Sequence, residues 1–152
     1  MTARLATIPA PSASSAVSEL ADARARRAWL ATRRGTAPAA DCAAMALDAL
    51  HDGTLLDAAL HTPAYHRCVG VLIMTDALDE ARDAIAALRW RAPAAAAWHD
   101  SELAFRTGDL IAAEPRATEA LELAGEAAGS FIGAMRVVVC ARAERGAFAD
   151  AH

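Results

Sequence analysis

Residues 74–81 read MTDALDEA, and two later stretches share their pattern: RTGDLIAA at residues 106–113 and ERGAFADA at residues 144–151. Each stretch has a small or turn-forming pair, then a large apolar residue, then Ala three positions later. The stretches begin 32 and then 38 residues apart. Similarity at a period of about 20–50 residues is the sequence signature of stacked supersecondary units. The three stretches therefore predict repeated turns between paired helices.

The large apolar residue and the Ala have distinct expected roles in each stretch. The large side chain should fill the groove between two paired helices, and the Ala should let their backbones approach. The three pairs are Leu78 with Ala81, Leu110 with Ala113, and Phe148 with Ala151.

The rest of the chain is also rich in helix formers. Of 152 residues, 44 are Ala, while Tyr and Phe are scarce, which disfavours a sheet. We predict an all-α fold of about eight helices in antiparallel pairs, stacked as a short solenoid. Residues 1–13, with two prolines, should be a flexible lead-in, and residues 14–152 a single helical-repeat domain.

Individual residues predict where helices start and stop. Asp41 and Asp76 are expected to cap helix N-termini, and Gly35 to end the first helix. A short helix is expected over Leu55–His61. Pro115 should kink or shorten its helix.

The composition excludes several kinds of chemistry. All 15 basic residues are Arg, and the chain has no Lys, Asn or Gln. A phosphate-binding Walker A loop and a Schiff-base site both need Lys. A Cys-His-Asn triad needs Asn, and reading of adenine in the major groove uses Asn or Gln.

Charge and cysteine content bound the environment and the partners. The net charge is −4, which argues against nucleic-acid binding by the chain as a whole. Residues 1–40 carry +4 and residues 41–152 carry −8; the Arg-rich helix around residues 24–34 is more simply a solvated face than a nucleic-acid arm. Three widely spaced cysteines and no signal-peptide pattern favour the reducing cytoplasm, and no stretch is long enough to span a membrane.

Residues 62–152 resemble the tetratricopeptide repeat, a helix pair of about 34 residues. Tyr65 and Leu72 fall at large positions of the first helix, Ala81 at the small position of the second, and Pro93 at the closing proline. The second unit departs from that pattern, because Gly125 stands where the closing proline would be.

The segments LDEARDAIAALR, ELAFRTGDLIAAE and RAERGAFADAH are similar to the repeat region of large actinobacterial LuxR-family transcriptional regulators of the MalT-like type. In that family an ATPase module precedes the repeats and a helix-turn-helix follows them. Neither module is recognisable here, so no ATP-binding or DNA-binding residue carries over to this chain. The resemblance implies a signal-sensing, non-catalytic regulatory scaffold.

Aromatic and Arg residues are the candidate binding residues, because concave solenoid faces often display them. We predict a partner-binding surface from Arg89, Trp90, Arg91, Trp98 and Arg106. The simpler interpretation of the tryptophans is packing between repeats. No catalytic, cofactor or metal residue is predicted.

The expected partner is a protein or peptide, or a small effector, without nucleic-acid or membrane contact. An apolar repeat end left open near residue 152 would indicate either a piece of a longer protein or a homo-oligomer that covers that end. One alternative is a freestanding helical adaptor. Another is a small helical enzyme or metal protein that uses His61, His66 and Cys68, although their spacing gives no rigid metal-ligand pair.

Overall fold

The computed structural model describes residues 13–51, 55–56, 63–124 and 128–146. Within these ranges the chain is helical and has no strand, which confirms the all-α prediction. The helices are α1 (Ala13–Arg34), α2 (Ala39–Leu50), α3 (Pro63–Met74), α4 (Leu78–Leu88), α5 (Pro93–Arg106), α6 (Leu110–Ala124) and α7 (Ala128–Glu144). Residues 1–12, most of the helix expected over Leu55–His61, and Phe148 and Ala151 lie outside the described residues.

A residue with a left-handed backbone conformation follows every odd-numbered helix. Its φ is 61° at Gly35, 59° at Asp76, 80° at Gly108 and 77° at Gly146. Three of these positions are equivalent in the three aligned octapeptides, so the sequence repeat is also a repeat of backbone conformation. Gly35 adds a fourth example and ends α1 as predicted.

The hydrogen bonds at these turns repeat as well. In three of them the residue after the left-handed position donates its N–H to the carbonyl five residues earlier, which satisfies a carbonyl left open by the helix end. The bonds are Thr36 to Ala31 at 3.1 Å, Ala77 to Leu72 at 3.0 Å, and Asp109 to Ala104 at 2.9 Å. The turn geometry is therefore shared even where the residues differ.

Two predicted helix caps are wrong. Asp41 lies inside the first turn of α2, whose N-cap is Pro38, and Ala77 rather than Asp76 is the N-cap of α4. The Asp76 carboxylate instead accepts two hydrogen bonds from Arg106, at 3.0 and 3.2 Å. This pair ties the α3–α4 turn to the end of α5.

Pro115 does not shorten α6, which continues as one helix to Ala124. The proline lacks the N–H that the Ile111 carbonyl would accept in an unbroken helix. Because Pro115 and Ile111 are both exposed, water can satisfy that carbonyl. The prediction of a shortened helix is therefore wrong.

Each helix contacts its neighbour in the chain, and each odd-numbered helix also contacts the next odd-numbered one: α1 with α3, α3 with α5, and α5 with α7. One face of α4 is buried: Ala81, Ile85 and Leu88 belong to the core, and the partly buried Leu78 packs against the same cluster. The buried residues form two clusters. The N-terminal core spans α1 to α5, and the C-terminal core joins α5, α6 and α7.

The two cores are built from different side chains. The N-terminal core contains fully buried large residues such as Leu72, Ile85 and Leu88. The C-terminal core consists of Ala97, Ala104, Ala113, Ala117, Ala120, Ala134, Val137, Val138 and Ala141.

No helix in the described ranges combines the length and apolarity needed to cross a membrane.

Candidate functional site

A groove with a volume of about 610 Å³ runs across the odd-numbered helices. We call it the odd-helix groove, because within the described part of the chain its lining comes from α1, α3, α5 and α7 alone. Its lining residues are Trp29, Arg33, Gly70, Ile73, Met74, Trp98, Glu102, Phe105, Arg106, Ile132, Gly133, Arg136, Val137 and Cys140. The volume lies within the range of about 300–1,000 Å³ that is typical of small-molecule sites.

Trp29 forms part of the groove where α1 crosses α3. Its ring lies against Gly70, where an added Cβ would be 3.0 Å from Trp29 Cζ3. A Cβ at position 70 would therefore fit only if the indole shifted by a few tenths of an ångström. The guanidinium of Arg33, one helical turn after Trp29, lies 5.7 Å from its ring centroid in cation–π geometry.

Trp98 has the matching position where α5 crosses α7. Its indole occupies the space that a Cβ on Gly133 would need, so even Ala at position 133 would overlap the ring. Glycine at position 133 therefore lets α5 and α7 pack closely. The Trp98 Nε1 hydrogen is buried and has no hydrogen-bond partner among the described residues. An unpaired buried donor costs about 1–3 kcal/mol.

A line of polar side chains runs beside Trp98 and links three odd-numbered helices. His66 Nδ1 lies 3.1 Å from His99 Nε2, and His99 Nδ1 lies 3.3 Å from Glu102 Oε2. Arg136 on α7 forms an ion pair with the other oxygen of Glu102. The rings of His66 and Trp98 both pack against His99, whose side chain is only 1% exposed.

The proton positions in this line follow from the ionised Glu102, which can only accept hydrogen bonds. His99 must then donate from Nδ1, and a second hydrogen bond joins its Nε2 to His66 Nδ1. Burial alone would raise the pKa of Glu102, but hydrogen bonds and charge from His99 and Arg136 lower it. Burial, with a smaller contribution from His99, lowers the pKa of His66 to about 4.

The five predicted partner-binding residues do not form one surface. Trp98 and Arg106 line the odd-helix groove. Arg89 pairs with Asp100 at 2.6 Å beside a different hollow, between α5 and α6. Trp90 is 94% exposed, so it is not a packing residue, and Arg91 donates to the Leu56 carbonyl at 3.1 Å.

The alternative metal residues are also separated. Cys68 is fully buried in the N-terminal core, where burial raises the pKa of its thiol to about 12. His66 instead contacts His99, and His61 lies outside the described residues. In the described ranges no group of three or more His, Cys, Asp or Glu side chains could hold a metal ion.

The Arg-rich part of α1 is partly neutralised by neighbouring acids. Arg24 pairs with Asp48 at 3.2 Å, and Arg26 lies 3.9 Å from Asp22. Asp22 is shared with Arg67 of α3, at 3.4 Å. These pairs are consistent with a solvated helix face that also packs on α2 and α3.

Sequence reasoning missed most of the groove. Arg33, Arg136 and Glu102 were not among the predicted binding residues, and nothing paired Trp29 with Gly70. The available signal was Gly133, a glycine within a helix, since such residues often mark a close approach. Comparison with protein-family models, with curated proteins and with solved structures gives no match to this chain.

Proposed function

We propose that this protein is a non-catalytic regulatory scaffold, built as a tetratricopeptide-like array of helix pairs, that binds its partner in the odd-helix groove. One observation carries the proposal: a groove of about 610 Å³ is lined by all four odd-numbered helices of the described chain. An occupant of such a groove would contact every helix pair at once and would bias how they pack.

The array arrangement is supported by three features. The left-handed turn residue recurs after α1, α3, α5 and α7. Contacts between successive odd-numbered helices accompany the contacts within each pair. The bidentate pair between Arg106 and Asp76 links one turn to the next. Repeat proteins expose extended binding surfaces by this type of stacking.

We further propose that the groove belongs to the signal-sensing region of a LuxR-type cytoplasmic regulator. This rests on the resemblance of residues 62–152 and on the repeated turns. The sequence of the gene beyond the His152 codon tests it. A continuing frame that encodes further repeats and a helix-turn-helix supports the regulator, and a frame that stops there leaves the freestanding adaptor.

Site-specific photocrosslinking in the cells that make the protein tests whether the groove is the binding surface. A photoreactive residue replaces Ile132, which lines the groove and is 69% exposed, or Ile111 on α6, which is 80% exposed and outside it. The proposal expects a discrete adduct from position 132 and none from position 111. Equal labelling at both positions, or none at either, contradicts it.

A further inference from the structure

The charge of the odd-helix groove is opposite to that of the chain. Among its lining residues are three arginines, Arg33, Arg106 and Arg136, and one carboxylate, Glu102. Asp76 also pairs with Arg106 from beside the groove, and the local balance is still positive. The whole chain, in contrast, has a net charge of −4. Charge complementarity therefore favours an anionic occupant.

Arg33 is the arginine best placed to meet that anion. Arg106 and Arg136 already donate to Asp76 and Glu102. Arg33 lies over the Trp29 ring, and within the described residues it forms no ion pair with a carboxylate. A guanidinium held over an aromatic face keeps its in-plane N–H donors available for a carboxylate, sulfonate or phosphate group.

The remaining lining favours an apolar body on the same ligand. Trp29, Trp98 and Phe105 supply aromatic surface, and Ile73 and Ile132 add aliphatic surface. Ligand sites of this type combine an apolar lining with a few polar groups that orient the ligand. The groove volume of about 610 Å³ corresponds to a small molecule rather than to a folded partner.

We propose that the odd-helix groove binds a small organic anion whose body is apolar and aromatic, with Arg33 contacting the anionic group. The proposal rests on the proposed function, because it names the chemical class of the regulatory ligand. It is separable from that function, since a scaffold could bind a peptide in the same groove.

Two fluorescent probes that differ by one charge test the proposal on the full chain. Anilinonaphthalene sulfonate has the aromatic body and a sulfonate, and phenylnaphthylamine has the same body without the charge. We expect saturable binding of the sulfonate at one site per chain and binding of the neutral probe weaker by about tenfold, the effect of one charge-assisted contact. Equal affinity for the two probes, or several weak sites for the sulfonate, overturns the proposal.

Matched arginine variants locate the site. Arg33→Met should weaken sulfonate binding by about tenfold and leave neutral-probe binding unchanged. Arg82→Met removes an exposed arginine of α4 that pairs with Asp79 outside the groove, and it should bind like the wild type. Both variants should still unfold cooperatively close to the wild-type melting temperature, with Arg33→Met slightly lower because it loses the contact with Trp29. A cooperative transition excludes probe binding to a loosened fold. An unaltered affinity in Arg33→Met contradicts the proposal.

The two proposals fail in different ways. If position 132 crosslinks to a polypeptide and neither probe competes with it, the groove binds a peptide; the scaffold then stands and the small-anion proposal is wrong. If the sulfonate binds as expected and no partner crosslinks in cells, the ligand class stands without a protein partner. If position 132 does not crosslink and the sulfonate does not bind as expected, the groove is not a functional site.

Discussion

The N-terminal and C-terminal cores hold the same kind of helix pairs together with different side chains. In the N-terminal core, Leu72 of α3 and Ile85 of α4 are almost completely buried. In the C-terminal core, the buried stripe of α6 contains only alanines, Ala113, Ala117, Ala120 and Ala124. Small side chains bury less apolar area per residue and let backbones approach closely. The C-terminal pairs should therefore be held less strongly and adjust more readily.

The odd-helix groove lies across this boundary. Trp29, on Gly70, belongs to the side of the N-terminal core, and Trp98, on Gly133, to the side of the C-terminal core. A ligand between the two sides would contact a firmly packed part and a more adjustable part. This difference gives the proposed scaffold an element whose packing a ligand can shift.

The largest expected effect is the loss of a large side chain from the N-terminal core. Leu72→Ala should lower the free energy of unfolding by about 3 kcal/mol, because it leaves a cavity at a fully buried position. Val137→Ala, its counterpart in the C-terminal core, should cost about 1–2 kcal/mol. Urea unfolding of both variants measures the difference. Ile111→Ala, at an exposed site, is the control. Equal losses of unfolding free energy in the two core variants would contradict the inferred difference between the cores.

The two tryptophan–glycine contacts should differ in tolerance. Gly133→Ala should cost about 2 kcal/mol, because its Cβ would overlap the Trp98 ring. Gly70→Ala should be nearly neutral: the Cβ lies 3.0 Å from Trp29, and Ala gains about 1 kcal/mol over Gly in a helix. Thermal unfolding of both variants checks this order, and a reversed order would show that Trp98 can leave its site freely.

Acid should weaken the link between the two sides. The pKa of His66 is about 4 in the folded chain, below its usual value of about 6.5, so the unfolded chain binds the extra proton between these values. Stability is then full above pH 6.5 and falls as the pH drops towards 4. The lowered pKa of Glu102 adds a further loss below its usual range.

The His66→Gln variant isolates the histidine contribution. The glutamine amide can still form a hydrogen bond with His99 Nε2, and it does not titrate. Between pH 7 and pH 4.5 the variant should lose about 2 kcal/mol less unfolding free energy than the wild type. Urea midpoints at the two pH values measure this, and an unchanged pH dependence would mean that His66 does not hold a lowered pKa.

A small effect is expected at the unpaired indole nitrogen. Trp98→Phe removes the buried Nε1 donor that lacks a partner among the described residues, which offsets part of the lost apolar area. The net change should be below about 1 kcal/mol. Trp29→Phe, which also weakens the contact with Arg33, should cost more. A calorimetric melt that ranks them the other way would indicate a partner for that N–H.

Local features of this fold were predictable from the sequence, and relations between helices were not. The octapeptide repeat indicated the turns after α3 and α5, because a left-handed residue needs Gly or Asp at a fixed position. The predicted cap at Asp76 was wrong because that carboxylate is held by Arg106, which is 30 residues away in the chain. The prediction that Pro115 shortens α6 was wrong because its exposed site tolerates a missing hydrogen bond.

The site was harder to predict for the same reason. Of the five predicted binding residues, Trp98 and Arg106 line the groove, while Arg89, Trp90 and Arg91 lie elsewhere. Which arginine meets which tryptophan depends on the rotation of each helix about its axis. Composition and spacing within one helix do not specify that rotation.

Hydrogen exchange with and without saturating anilinonaphthalene sulfonate shows whether a ligand in the groove acts on the C-terminal helix pairs. We expect bound sulfonate to slow exchange in α7, which lines the groove and belongs to the C-terminal core. Exchange in α2, which contributes nothing to the groove lining, should not change. Protection that is uniform along the chain, or absent from α7, would contradict the claim that a ligand in the odd-helix groove acts on the C-terminal helix pairs.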